Sequence, residues 1–248
     1  MKKSWLLSIL LLFSVPSRAW GPEGHRVVGK IAEHFLTPRT QVAINRLLSG
    51  QPLSSCTTWM DEMRRNPQFR YMANWHWVTI ETGKTYEQSP KNPRGDIIAI
   101  LEKTLKESKS NKDKLLALRI VAHLIGDLHM PLHVGCCGDK GGNKIKVTWN
   151  GRRTSLHRVW DEDLIHENGL KYNELAASLL PMAEKLNRKK SPIDIRRWAE
   201  EALAFRKQVY NIGDGKLDKA YFAKNRPLLQ KRLAIAGVRL AQALNKYF

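Results

Sequence analysis

The stretch His123-Leu-Ile-Gly-Asp127-Leu-His129-Met-Pro131-Leu-His133 decides how this chain is read. On a helix His123 and Asp127 stand four apart and share one face, so an imidazole and a carboxylate can grip one ion together. Pro131 then breaks the pattern, because it lacks an N–H and disturbs the turn beneath it. His133 is therefore expected from a kink or helix end rather than from the same face. His157 and Asp161 repeat the i, i+4 device.

Working outward, the spacing of apolar residues predicts helices over about 25–35, 93–109, 113–130, 171–188, 193–210 and 226–246. Another starts at Thr37, an N-cap, with Pro38 at the first helical position. In the last helix Asn225 is the expected cap, and Leu229, Leu233, Ala236, Leu240 and Leu244 form the buried face. Lys144 to Trp149 alternates like a strand and ends in Asn150-Gly151, the pair favoured in two-residue hairpin turns. An all-α fold follows: a single mostly helical domain, over residues 20–248, with a small β-hairpin.

The chain has 248 residues, of which 42% are hydrophobic and 26% charged, which excludes a disordered or collagen-like chain. Residues 1–19 read as a secretory signal peptide: Lys2 and Lys3, an apolar run from Trp5 to Val15 too short to span a bilayer, and small residues at Ser17 and Ala19. Cleavage between Ala19 and Trp20 would leave a secreted or periplasmic protein with no stable membrane insertion, expected as a monomer. The formal charge is +19, from 42 Lys and Arg against 23 Asp and Glu. Only Lys2, Lys3 and Arg18 leave with the leader, so the excess belongs to the folded protein and favours polyanionic partners.

Eight histidines are the more informative count. His25, Asp61 and His76 join the two helical pairs as candidates, and imidazole with carboxylate but no thiolate suits zinc in a catalytic site. A terminal amine at Trp20 could also chelate once deprotonated. His34, His129 and His166 stand apart; His129 is either a residue that orients a ligand carboxylate or a plain structural one. With three Cys in an oxidising compartment, a Cys56 bridge to Cys136 or Cys137 is the leading expectation, a vicinal bridge or an extra thiolate ligand the lesser ones.

Taken together, Trp20-Gly-x-x-Gly-His25, Trp59-x-Asp61, Trp75-His76, His123-x3-Asp127-x5-His133, Gly141-Gly142-Asn143-Lys144-Ile145 and Leu156-His157-x2-Trp160-Asp161 closely resemble the zinc-dependent single-strand nuclease and 3′-nucleotidase family. The resemblance runs over essentially the whole chain after residue 19. It implies a helical fold shared with zinc-dependent phospholipase C, and three Zn2+ in a cleft. Asp61, His76, His123 and Asp127 would hold the first; His133, His157 and Asp161 the second; Trp20 through amine and carbonyl, His25 and the other oxygen of Asp127 the third. Close metals activate water for in-line attack on phosphorus, leaving 5′-phosphate ends. Arg64 matches the family's phosphate-contacting arginine, which with Asp127 makes the catalytic set. Trp77 holds the aromatic position at the base pocket, where stacking is worth about 1–3 kcal/mol, though a core role fits it as well. Thr79 replaces a base-contacting aspartate of the fungal enzymes. Asn143 supports either the site or its turn. The implied substrates are single-stranded DNA and RNA and nucleotides. The rival readings are a zinc-dependent phospholipase C, against which the Trp20-x4-His25 spacing and Asp161 argue, and a non-catalytic zinc- or nucleic-acid-binding protein.

Overall fold

The computed structural model describes residues 20–108, 110, 113–136, 138–189 and 191–248; the expected signal peptide lies outside them. The first helices are α1 (Pro22–His34), α2 (Pro38–Leu47), α3 (Leu53–Cys56), α4 (Trp59–Met63), α5 (Ile97–Glu107) and α6 (Lys114–His129). There follow α7 (Leu156–Arg158), α8 (Leu164–His166), α9 (Tyr172–Asn187), α10 (Ile195–Ala204), α11 (Arg206–Val209) and α12 (Lys219–Tyr247). The strands are β1 (Val78–Thr79), β2 (Val134–Gly135), β3 (Lys146–Trp149), β4 (Arg152–Ser155) and β5 (Lys216–Leu217).

The central helix α6 is buried from Ala117 onward on nearly every side, as expected for a helix apolar all round. Asp113 caps it by accepting from the Leu116 N–H, and it stops at His129, where Met130 turns extended ahead of Pro131. A 3-10 turn over Pro131–His133 then presents His133, so the proline acts as expected. α1 and α12 pack together against α6 and α9, with α5 and α10 on other flanks of α6. The approach to α1 is close enough to need glycine. A Cβ on Gly29 would sit 2.7 Å from Cα of Ser54, and one on Gly237 would sit 2.5 Å from Cγ2 of Ile31.

Most expected helices form, with three differences. α5 begins at Ile97 rather than near residue 93, because the Asp96 side chain accepts from the Ile98 and Ala99 N–H groups and fixes the start there. The predicted 193–210 helix is broken at Phe205 into α10 and α11. α12 starts at Lys219, capped by Asp218, and runs through Asn225 and Pro227. Asn225 is thus no cap: buried in the helix, it donates to the Tyr221 carbonyl and accepts from Gln208. The five predicted core residues of α12 are all buried.

The hairpin β3–β4 turns at Asn150 (φ 47°) and Gly151 (φ 79°). Two consecutive positive φ values are the type I′ geometry that this pair favours. β5 adds in parallel to the other side of β3, and β1 pairs in parallel with β2 through Val78 to Val134 and Thr79 to Gly135. Neither short parallel ladder has a sequence periodicity long enough to reveal it.

Candidate metal centre

Five imidazoles and three carboxylates converge beneath α6. His123 and Asp127 come from its last two turns, His25 from α1, and His76 and His133 from the residues just ahead of β1 and β2. Asp61 comes from α4; His157 lies in α7, and Asp161 in the single π-helical turn Val159–Asp163 that follows. Such turns often mark functional sites. Two backbone ties hold the groups in register. The His133 Nδ1 lies 2.6 Å from the His76 carbonyl, and β1–β2 continues that junction. The Gly21 N–H donates to the Asp161 carbonyl at 2.8 Å.

Asp127 is at the middle. Its Oδ1 lies 3.1 Å from His25 Nε2, while its Oδ2 lies 3.0 Å from His76 Nδ1 and 3.2 Å from His123 Nε2. The two oxygens therefore face different imidazoles. A second cluster follows, with His157 Nε2 3.0 Å from Asp161 Oδ2 and the His133 and His157 rings 5.0 Å apart. Three sets, the first two sharing His123, bring their donor atoms within 4.8 Å: His25, Asp61 and His123; His76, His123 and Asp127; His133, His157 and Asp161.

These atoms suit divalent cations rather than one another. Three rings spend Nδ1 on a backbone carbonyl, His123 on Thr57 (2.7 Å), His133 on His76 (2.6 Å) and His157 on Gly141 (2.6 Å). Each tautomer is thereby fixed and its Nε2 turned inward, the usual outer support of a metal-binding imidazole. His76 Nε2, His133 Nε2 and Asp161 Oδ1 are buried without a hydrogen-bond partner among the described residues, an expensive arrangement unless a cation satisfies them. Donor separations near 3 Å also match the edge, about 3.3 Å, of a tetrahedron of ligands around zinc.

Electrostatics point the same way. Burial pulls His25 down, His76 down to about 4 and His133 down to about 3, leaving lone pairs at neutral pH. Burial opposes charge on Asp127 and Asp61 too, but neighbouring imidazoles, His123 foremost, hold both below the usual carboxylate range. His123 itself is raised despite burial, chiefly by Asp127. Burial pushes the Asp161 carboxyl up to about 7, a position that a divalent cation would reverse.

The other candidates separate. Trp20 is fully buried and its indole donates to the Gly126 carbonyl at 2.8 Å. Arg64 Nε sits 3.0 Å from Asp61 Oδ1. Trp77 is 42% exposed, which removes the core alternative, and with Thr79, Lys91 and Asn92 it lines a depression of about 240 Å3. The Asn143 amide donates to the Lys140 carbonyl, so it braces the turn whose Gly141 carbonyl receives His157. His129 points away from Asp127. Its Nδ1 bonds the Ile125 carbonyl, its Nε2 faces Arg239 Nη1 at 3.0 Å, and its carbonyl accepts from Arg232, so it is structural. Among the described residues Cys56 forms no bridge. Cys56 is a buried thiol whose charged neighbours are Arg119 and Glu33, whereas Cys136 lies near Tyr210 beyond β2. Cys137 lies outside the described residues.

Sequence reasoning missed three supports. Gly126 lies so close to His25 that a Cβ there would be 2.9 Å from Nδ1; a lone glycine between two ligands of an apolar helix was the available signal. Arg206 donates to the carbonyls of Ile80, Val134 and Gly135 and so ties down the ladder behind His76 and His133. Arg232 and Arg239, seven apart on the buried face of α12, clamp the end of α6 with Glu201.

A helical scaffold that gathers imidazole and carboxylate donors into buried groups able to hold metal ions defines the class: a metal-dependent hydrolase. Residues 20–248 match the family model described as S1/P1 Nuclease. The chain belongs to that nuclease family. It is 35% identical to Endonuclease 3 of Arabidopsis thaliana, across 99% of this chain and 95% of that one. Its identity to Nuclease S1 of Aspergillus oryzae is 28%, over 91% of each. With Nuclease P1 of Penicillium citrinum it shares 32% over 57% of each.

Proposed function

We propose that residues 20–248 form a monomeric, single-domain enzyme with three zinc ions, which hydrolyses single-stranded DNA and RNA to 5′-phosphate products and also acts on 3′-nucleotides. It works outside the cytoplasm, secreted or periplasmic, after cleavage between Ala19 and Trp20. Support for three ions comes from the split of Asp127, whose two oxygens face different imidazoles as those of a bridging carboxylate would, together with the separate group His133, His157 and Asp161. Asp61, His76, His123 and Asp127 make one site, His133, His157 and Asp161 the second, and Trp20 backbone, His25 and Asp127 the third. Zinc held there supplies Lewis acidity that activates water at neutral pH and neutralises charge on phosphate oxygens.

The protein residues do the rest. Arg64, oriented by Asp61, offers a planar fork to phosphate oxygens. Trp77 presents an exposed ring beside ligand His76, where a base of any sequence can stack. Asn143 keeps the Gly141 carbonyl on His157 and flanks the substrate. Thr79 in place of an acidic side chain removes a discriminating acceptor and broadens base tolerance.

The test is hydrolysis of single-stranded DNA, RNA, a 3′-nucleotide and phosphatidylcholine by the metal-loaded mature protein. Cleavage of the nucleic acids to 5′-phosphate ends is expected; cleavage of the lipid alone would overturn the reading in favour of a phospholipase.

A further inference from the structure

β4 leads straight from the hairpin into His157, so the three-stranded sheet is built onto the edge of the metal centre. The turn before β3 holds His157 from the other side, through Gly141 O to Nδ1 and Gly142 O to the His157 N–H. In β3, Val147 and Trp149 are buried while Lys146 is exposed. Alternation therefore turns Lys146 and Thr148 outward. The register carries that face across the sheet: Thr148 is opposite Arg153 on β4 and opposite Lys216 on β5, and Lys146 is opposite Ser155. The outer face thus bears Lys146, Arg153 and Lys216 with Thr148 and Ser155, and none of these strand positions is acidic. Exposed Lys144 extends the row toward the His157 turn.

These cations are not spent on structure. The pair between Lys216 and Asp214 joins two side chains 80% and 65% exposed, which solvent screens almost completely. Lys146 only reaches the Asn143 carbonyl at 3.4 Å. Arg152, which does hold an ion pair with Asp163 at 2.6 Å, alternates to the other face. Along one face of a strand side chains recur about every 6.8 Å, and neighbouring strands lie about 4.8 Å apart. On that lattice Arg153 and Lys216 flank Thr148 about 10 Å apart, each about 8 Å from Lys146, so their long side chains can reach neighbouring phosphates of an extended strand. The Lys146 end of this group lies beside the His157 turn.

We propose that this outer sheet face, through Lys146, Arg153 and Lys216, is a binding track for the phosphodiester backbone of single-stranded substrate lying beyond the bond being cut. The proposal rests on the single-strand nuclease reading above and adds a substrate-length dependence to it. A dinucleotide ends before the track; a long oligonucleotide lies along it and gains affinity without any base being read.

The experiment compares steady-state cleavage of a dinucleotide and of a single-stranded 30-mer by the metal-loaded mature protein and its Lys146→Ala/Arg153→Ala/Lys216→Ala variant. KM for the 30-mer should rise about tenfold or more with kcat retained, and dinucleotide kinetics should stay as in the wild type. The slope of log kcat/KM against log salt for the 30-mer should flatten by roughly 0.7 for each phosphate that the variant no longer neutralises, about 2 in all. Arg153→Glu alone should raise KM for the 30-mer, and Arg153→Lys should restore it. Unchanged 30-mer kinetics and salt slope would overturn the track while leaving the nuclease reading intact, as would equal losses on both substrates. Wild-type protein that cut neither substrate would overturn the nuclease reading and the track with it.

Discussion

Gly126→Ala is a one-carbon test of the metal centre. The new Cβ would fall 2.9 Å from His25 Nδ1 and 3.1 Å from Cε1, where unstrained contact begins near 3.4 Å. His25 has little room to retreat. Its ring is stacked on His123 with centroids 4.0 Å apart, and α1 is hemmed in at Gly29 by Ser54 and at Ile31 by Gly237. Overpacking of this kind costs about 1–3 kcal/mol, and replacing glycine by alanine within a helix returns about 1 kcal/mol. A net loss of up to about 2 kcal/mol follows, or up to roughly 8 °C in Tm for a domain of this size. His25 must shift by several tenths of an ångström, so the metal facing Asp127 Oδ1 should dissociate first. Calorimetry of the metal-loaded protein and elemental analysis after dialysis against a weak chelator measure both effects. A variant with raised Tm and full metal content would show that the glycine is not needed for close approach and refute the reasoning.

Three further outcomes are expected. Asp127→Asn should lose more than one metal ion per chain, since each oxygen faces its own imidazole group; retention of the wild-type complement, by elemental analysis, would contradict the bridge. One extra residue ahead of Trp20 should greatly reduce both activity and metal content, because Trp20 is fully buried against Gly126 and the Gly21 N–H is committed to Asp161; undiminished values would show that the terminal amine is not a ligand. Burial pushes the Cys56 thiol up to about 12 from 9.0, so mass-mapped alkylation at pH 8 should leave it unmodified in native protein and modify it after unfolding. The linkage runs the same way: the unfolded thiol ionises first, so this group's contribution to stability falls as pH rises from about 9 towards 12 and is constant at neutral pH. Rapid native labelling of Cys56 would count against the burial.

The residues that converge on the candidate centre were legible because coordination chemistry limits the residue types, and because the two i, i+4 pairs and Pro131 act within a few residues. Long-range support was not. Nothing near Thr57 or Gly141 in the sequence says that their carbonyls will fix the rings of His123 and His157, because a backbone acceptor leaves no compositional trace. The Asn225-Pro227 pair misled for a local reason. It has the pattern of a helix start, yet Asp218 caps seven residues earlier and the buried Asn225 finds partners within the helix and on Gln208. Cys56 shows the converse: cysteine count and compartment argue for a bridge, yet among the described residues it stays a buried thiol beside Arg119 and Glu33.

Every donor side chain lies between His25 and Asp161, while α12, which backs both α1 and α6, occupies the last stretch of the chain. Synthesis on the ribosome therefore delivers all the donor atoms well before the element that presses their helices together. A nascent chain, or one cut short by a premature stop, would carry the complete set of ligands without their geometry.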